Sequence, residues 1–266
     1  MTMKIVAEID RERISTLLRE GKRVDGRGFD DIRPIKLIQD VISKAEGSSE
    51  VWLGKSRVLA GVKIQVGKPF PDTPDEGVVI TSAELFPIAS PEFELGPPGE
   101  QAIELARVVD RGIRHSSAIQ RSSLCIKSGE HVYLVMLDLY ILADHGNLID
   151  VASIAAIGAL MNTKLPKVNV TEDGTAELLE ETVPLEMGPP PLTVTFAKID
   201  GTLVADPTLE EENVMDGRIS IAIDGDDTIS SMQKSGEVPF TYQEVTDAIE
   251  RASKIVKKMR KQLPKR

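Results

Sequence analysis

The sequence predicts an α/β (α+β) fold made of two halves, each a set of strands packed with helices. Three stretches carry that prediction. Residues 35–66 alternate short β-rich runs with glycine turns. Residues 132–160 join a strand that is apolar on both alternating sides to a helix built mostly from small residues. After an acidic, proline-rich connection at 163–191, strands resume and a helix closes the chain.

Taken in order, residues 10–20 (DRERISTLLRE) form a helix, with Asp10 as N-cap, Ile14, Leu17 and Leu18 as its apolar side and Gly21 as its stop. RVDGR, Arg23–Arg27, contains an Asp-Gly tight turn, which on its own is equally a surface turn. Three strands follow in 35–66, cut at Gly47-Ser48 and Gly54-Lys55, with Trp52 as a packing residue. Residues 68–99 are rich in proline around one strand near Val78–Leu85, and so long an irregular stretch marks a functional or interface loop.

Residues 100–116 (EQAIELARVVDRGIRHS) are an amphipathic helix. Ala102, Leu105, Ala106, Val109 and Ile113 fall on one face, and Arg107, Arg111 and Arg114 gather in a narrow stripe opposite. Glu104 can pair with Arg107 and Asp110 with Arg114, which would make the stripe a solvated face. Arg111 has no acid three or four residues away. A planar guanidinium suits phosphate oxygens, so the stripe is a candidate anion site.

The strand Val132–Ala143 runs into the turn Asp144-His145-Gly146-Asn147, and the helix begins with Leu148, Ile149 and Asp150. A glycine turn feeding a helix N-terminus has the shape of a phosphate cradle, because the free N–H groups and the helix dipole both favour anions. The side chains here do not suit that task. Farther on, a hairpin turns at Asp200-Gly201, a strand starts at Arg218 and ends at the Gly225 turn, and Thr241-Tyr-Gln-Glu244 is a capping box. It opens a helix with Val245, Ala248, Ile249, Ala252, Ile255, Val256 and Met259 on one side.

The chain has 266 residues and a net charge of −10, which argues against a general nucleic-acid-coating protein. The charge is uneven. Glu172, Asp173, Glu177, Glu180, Glu181 and Glu186 crowd the connection, and the tail after Glu250 is purely basic, ending in Lys265 and Arg266. A single cysteine, Cys125, suits a reducing, cytoplasmic setting, and no stretch reads as a membrane span or a secretory signal. The three histidines lack metal-ligand spacing, and neither a GxxxxGK[ST] loop nor a GxSxG elbow is present, so no cofactor is expected. Asp206, Glu210, Glu211, Glu212 and Asp216 are clustered oxygen ligands that can hold Mg²⁺, or simply a charged loop before a strand.

RVDGR, the Gly-Ser and Gly-Lys-Ser-Arg-Val hairpin, the arginine helix and ADHGNLIDVAS stand in the order found in the RNase PH family of phosphorolytic 3′-to-5′ exoribonucleases. PDTPDEG, SPEFELGPPGE and IELARVVDRGIRHS more narrowly resemble the larger, non-catalytic RNase PH-like subunits of the archaeal exosome. The resemblance implies an N-terminal helix and arm (1–34), a first RNase PH-like half (35–165), an acidic and proline-rich linker (166–191) and a second half (192–266), each half a mixed sheet packed with helices.

Active members hold inorganic phosphate in a Gly-Gly-Thr-Arg-Thr type of turn. The matching positions here are His145, Gly146, Asn147, Leu148 and Ile149, so the arginine position is a leucine. Asp150 would add a like charge, on the order of 3 kcal/mol against each phosphate charge at roughly 5 Å and an effective dielectric of ~20. The family's acid pair aligns with Glu212 and Arg218 and is broken. The resemblance therefore implies a non-catalytic component that alternates with a catalytic paralogue in a hexameric ring, three copies of each, under RNA-binding cap subunits. It also assigns single-stranded RNA contact to Arg107, Arg111 and Arg114. An active phosphate-dependent exoribonuclease and a scaffold without RNA contact are the competing readings.

Overall fold

The computed structural model describes residues 2–171 and 174–264. Glu172 and Asp173 of the acidic run, and Lys265 and Arg266 of the basic tail, lie outside the described residues.

The first half is a six-stranded sheet made of β1 (Ile35–Gln39), β2 (Gly47–Leu53), β3 (Ser56–Gly67), β4 (Val78–Leu85), β5 (Cys125–Lys127) and β6 (His131–Ala143), ordered β1-β2-β3-β6-β4 with β5 also on β6. All its pairings are antiparallel except β4 with β6, so the sheet is mixed. The second half is an antiparallel sheet of β9 (Leu192–Ile199), β10 (Thr202–Ala205), β11 (Gly217–Ile223) and β12 (Ile229–Gly236), ordered β10-β9-β11-β12. Asp200 and Gly201 both have positive φ, as a two-residue hairpin turn requires.

One helix organises both halves. α3 (Leu148–Met161) packs against β1, β2, β3 and β6 of the first sheet and β9 of the second, and every residue from Ile149 to Leu160 is buried. Its small side chains allow this double contact. A Cβ on Gly158 would meet the Leu37 and Ser49 side chains at about 3 Å, the Ser49 hydroxyl donates to the Ala155 carbonyl at 2.6 Å, and the Gln39 amide donates to the Gly158 carbonyl at 2.8 Å. The two halves consequently share one apolar core, running from Val51 and Leu139 through Ile154 to Phe196 and Ile255. α2 (Glu100–Arg114) lies on β4, α3 and β12, and α5 (Tyr242–Arg260), opened by the Thr241–Glu244 capping box, lies on β9 and β11.

Several sequence expectations change. α1 spans Thr2–Arg19, so Asp10 lies inside the helix and is not its N-cap. This helix precedes the first half but packs on the second, where Ile14 and Leu18 join Ala197, Ile199, Val204 and Val214. Gly47-Ser48 begins β2, and the preceding turn occupies 40–46. β6 is covered fully on one face only: Val135, Leu137, Leu139 and Ile141 are buried, while Leu134, Met136, Asp138 and Tyr140 on the other face are half-buried. The helices pack on one side of this sheet, so an apolar sequence on both sides does not require two covers. The connection at 166–191 is mostly a β hairpin, β7 (Lys164–Val170) with β8 (Ala176–Pro184), whose second strand is largely exposed.

Candidate functional site

Two places bring the candidate residues together, the turn that opens α3 and the groove beside α2. The turn has the backbone of an anion cradle. Gly146 has φ +85° and Asn147 φ +56°, and a Cβ on Gly146 would run into the Thr208–Leu209 backbone. The short helix α4 (Leu209–Glu212), capped by Thr208 and Glu211, is seated directly over the turn, with Leu209 N–H donating to the His145 carbonyl at 3.2 Å.

Three of the turn's N–H donors are already engaged. His145 N–H donates to Ser56 Oγ at 3.2 Å, Gly146 N–H to Asp144 Oδ1 at 2.9 Å, and Asn147 N–H to Glu212 Oε1 at 3.0 Å. The chain's own carboxylates therefore stand where an anionic ligand would accept. The turn's carbonyls are also used, since Arg33 donates to those of His145 at 2.8 Å and Gly146 at 3.0 Å. Leu148, at the arginine position, is half-buried against the core.

Beneath the turn lies a buried polar network. Asn147 Nδ2 donates to Asp150 and to Asp206, each at 2.7 Å. Asp206 also accepts from Arg33 Nη2 at 2.7 Å and Arg27 Nη1 at 2.8 Å, and burial of its charge is outweighed by these partners, which hold its carboxyl below the usual range. Asp150 accepts from the Thr195 N–H at 3.0 Å and hydroxyl at 2.8 Å, tying α3 to β9. Desolvation dominates there and pushes the Asp150 carboxyl up to about 7, against the hydrogen bonds from Asn147 and Thr195. This corrects the expected role of Asp150. Its carboxyl is sequestered in the core, partly neutral near pH 7, and serves the junction of the halves. The acidic groups at the cradle are Asp144 and Glu212, and burial pushes the Glu212 carboxyl up to about 7, opposed by the Asn147 N–H and Arg218 and aided by Asp144.

The acidic cluster does not converge. Asp206 is held by Arg33 and Arg27, Glu210 by Arg13, Glu211 by the fully buried Arg23, Glu212 by Asn147, and Asp216 by Arg11. Separate partners draw the five carboxylates apart, so the Mg²⁺ reading is not supported. RVDGR is likewise more than a surface turn: Arg23 donates to Glu211 at 2.6 Å and to the carbonyls of Ala205 at 2.9 Å and Asp206 at 3.0 Å. Arg218, at the second acid position, donates to Glu104 at 2.8 Å.

That last contact alters the second site. Glu104, which helical spacing would allow to pair with Arg107, instead serves Arg218, leaving Arg107 exposed and without a hydrogen bond or ion pair among the described residues. Arg111 donates one Nη to Gln233 of β12, and its buried Nε has no partner. Arg114 takes the partner that helical spacing allowed, Asp110 at 3.1 Å, and also donates to the Val79 carbonyl at 3.0 Å. All three line one open groove of about 480 Å³ between α2 and β4. Phe70, which sequence patterning did not single out, forms part of its wall. Its signal was an aromatic between two prolines in the loop already marked as irregular.

Comparison with known proteins agrees with this layout. Models of the 3′ exoribonuclease (RNase PH) family match domain 1 over residues 31–166 and domain 2 over residues 190–255. The exosome complex component Rrp42 of Thermococcus kodakarensis is 51% identical over 253 residues, covering 95% of this chain and 93% of that protein. Rrp42 of Methanosarcina mazei is 51% identical over 249 residues, covering 94% and 91%. A solved chain of the Archaeoglobus fulgidus exosome with RNA bound to the active site superposes with TM-score 0.89 at 44% identity, covering 97% of this chain and 99% of that one. The chain of an archaeal exosome core gives TM-score 0.86 at 41% identity, covering 98% and 99%. With both family domains matched in chain order and half-identical relatives along nearly the whole length, the chain belongs to the RNase PH family of 3′ exoribonucleases, among its exosome-subunit members.

Proposed function

We propose that this chain is the non-catalytic RNase PH-like component of an archaeal exosome, acting in 3′-to-5′ RNA degradation in the cytoplasm by completing its catalytic paralogue's site and gripping single-stranded RNA. The observation that carries the non-catalytic assignment is the occupied cradle. Leucine stands at the arginine position, and the turn's N–H groups donate to Ser56, Asp144 and Glu212. Phosphate, the attacking nucleophile of phosphorolysis, would find these three donors taken and two carboxylates beside them. The ring of alternating subunits, three copies of each, and the RNA-binding caps extend this reading beyond the isolated chain.

Arg107 and Arg111 supply the RNA grip, since each presents guanidinium donors without an acidic partner, whereas Arg114 mainly braces the groove. Contacts of this kind hold the phosphate backbone and read no base sequence, as general RNA decay requires. The test is RNA binding by the ring reconstituted with the catalytic paralogue in phosphate-free buffer. Replacing Arg107 and Arg111 by Ala should reduce the slope of log K against log salt by about 1.4, at ~0.7 per phosphate contact. An unchanged slope and affinity with intact assembly would instead assign the chain a scaffold role.

A further inference from the structure

A second groove, of about 720 Å³, opens at the N-terminal end of α2, along the loop that joins β4 to that helix. The loop is anchored at the end of β6, where the Ala89 carbonyl accepts from Asp144 N–H at 3.1 Å. Its floor is apolar: Phe93 is buried in the core, Phe86 stacks on Tyr140 with ring centroids 5.7 Å apart, and Leu85 lies between them and the helix. On the rim Leu95 is 79% exposed, next to Gly96-Pro97-Pro98-Gly99. The two prolines restrict that backbone, so covering the rim costs little conformational entropy.

Four carboxylates, Glu84, Glu92, Glu94 and Glu100, also line the groove, and no lysine or arginine does. All four are exposed, and none makes a side-chain hydrogen bond or ion pair among the described residues. The dipole of α2 favours Glu100 in its first turn but gives no reason for the other three. An apolar floor among unpaired acids selects its occupant by charge. RNA would bring phosphates against the carboxylates, and among the described residues no acids gather closely enough to hold a metal ion. A peptide cation with an apolar neighbour satisfies both halves, since its apolar atoms cover Phe86 and Leu95 while its charge pairs with the glutamates. We infer that this groove docks a cationic segment of a partner protein, one in which an arginine or lysine stands beside an apolar side chain. The inference is independent of the RNA-contact reading, because Arg107 and Arg111 line the other groove.

The test is fluorescence anisotropy at low salt with the full chain and a labelled probe peptide, Gly-Arg-Leu-Gly-Arg-Leu-Gly. The parent should bind it, and should not bind a peptide with glutamate in place of each arginine. Glu92→Gln/Glu94→Gln/Glu100→Gln should weaken binding about 3- to 100-fold, the range that three exposed ion pairs supply. A control with the same change in net charge, Glu177→Gln/Glu180→Gln/Glu186→Gln on and beside β8, should bind as the parent does. Leu95→Ala leaves the charge unchanged and should still weaken binding about 3- to 30-fold, through lost apolar contact. Equal losses from the two glutamine sets, with none from Leu95→Ala, would reduce the binding to the chain's net charge of −10 and overturn the inference. A parent chain that does not bind the probe overturns it as well. Self-association in sedimentation, abolished by the Glu92→Gln/Glu94→Gln/Glu100→Gln set, would give the groove to a second copy of this chain and also overturn it.

Discussion

Replacing Asp150 by Asn separates a structural carboxyl from one that repels phosphate. Its folded-state value of about 7, against an ordinary 3.8, means that the native chain holds a proton on Asp150 more tightly than the unfolded chain does. Native Asp150 therefore contributes most favourably below about pH 4. Its contribution falls as pH rises through the window from 3.8 to about 7 and levels off above it. The full span corresponds to about 4 kcal/mol, of which roughly 2–3 kcal/mol is lost between pH 5 and pH 8. An asparagine amide cannot ionise, so the variant should lack this part of the decline. Asn147 Nδ2 and Thr195 N–H both donate to Oδ2, so an asparagine carbonyl in that place keeps both, and the amide at the Oδ1 position can donate to the Thr195 hydroxyl, which is free to donate to Ser220 instead. Urea unfolding of parent and variant at pH 5, 6, 7 and 8 measures this as a difference, which cancels the titration of the other groups, Glu212 among them. Equal pH slopes in the two proteins would refute the argument that burial governs Asp150.

Three further outcomes follow from the same geometry. Gly146→Ala should destabilise the chain by about 2–3 kcal/mol, read as a lower urea midpoint, because φ is +85° and the new methyl would meet the Thr208–Leu209 backbone. Gly158→Val should cost at least 1–3 kcal/mol in the same assay, since Leu37 and Ser49 already touch the space a Cβ would take. Leu148→Arg restores the family's arginine but should not restore phosphate binding, because Glu212 and Asp144 still accept from the turn; calorimetric titration with inorganic phosphate should show no heat of binding.

Local patterns in the sequence read correctly wherever neighbours along the chain settle the outcome. The β4 strand, the arginine face of α2, the Asp200-Gly201 hairpin and the Thr241 capping box are of this kind. The small residues of the strand–turn–helix also announced close packing, although not that two sheets share the helix. What remained hidden depends on distant partners. Glu104 bonds Arg218 at a separation of 114 residues, and Glu212 reaches Asn147 across 65, so neither the freedom of Arg107 nor the filling of the cradle could be read from helical spacing. Asp150 was misjudged for the same reason, because Thr195 lies 45 residues away on another sheet. Phe70 gave only an ambiguous signal, since an aromatic between prolines is as easily a packing residue until its exposure beside the arginines is seen.

The account rests most heavily on the filled cradle, and phosphorolysis tests it directly. The purified chain, incubated with single-stranded RNA and inorganic phosphate, should release no nucleoside diphosphates, and release should begin when the catalytic paralogue is added. Robust release from the chain alone would contradict the account.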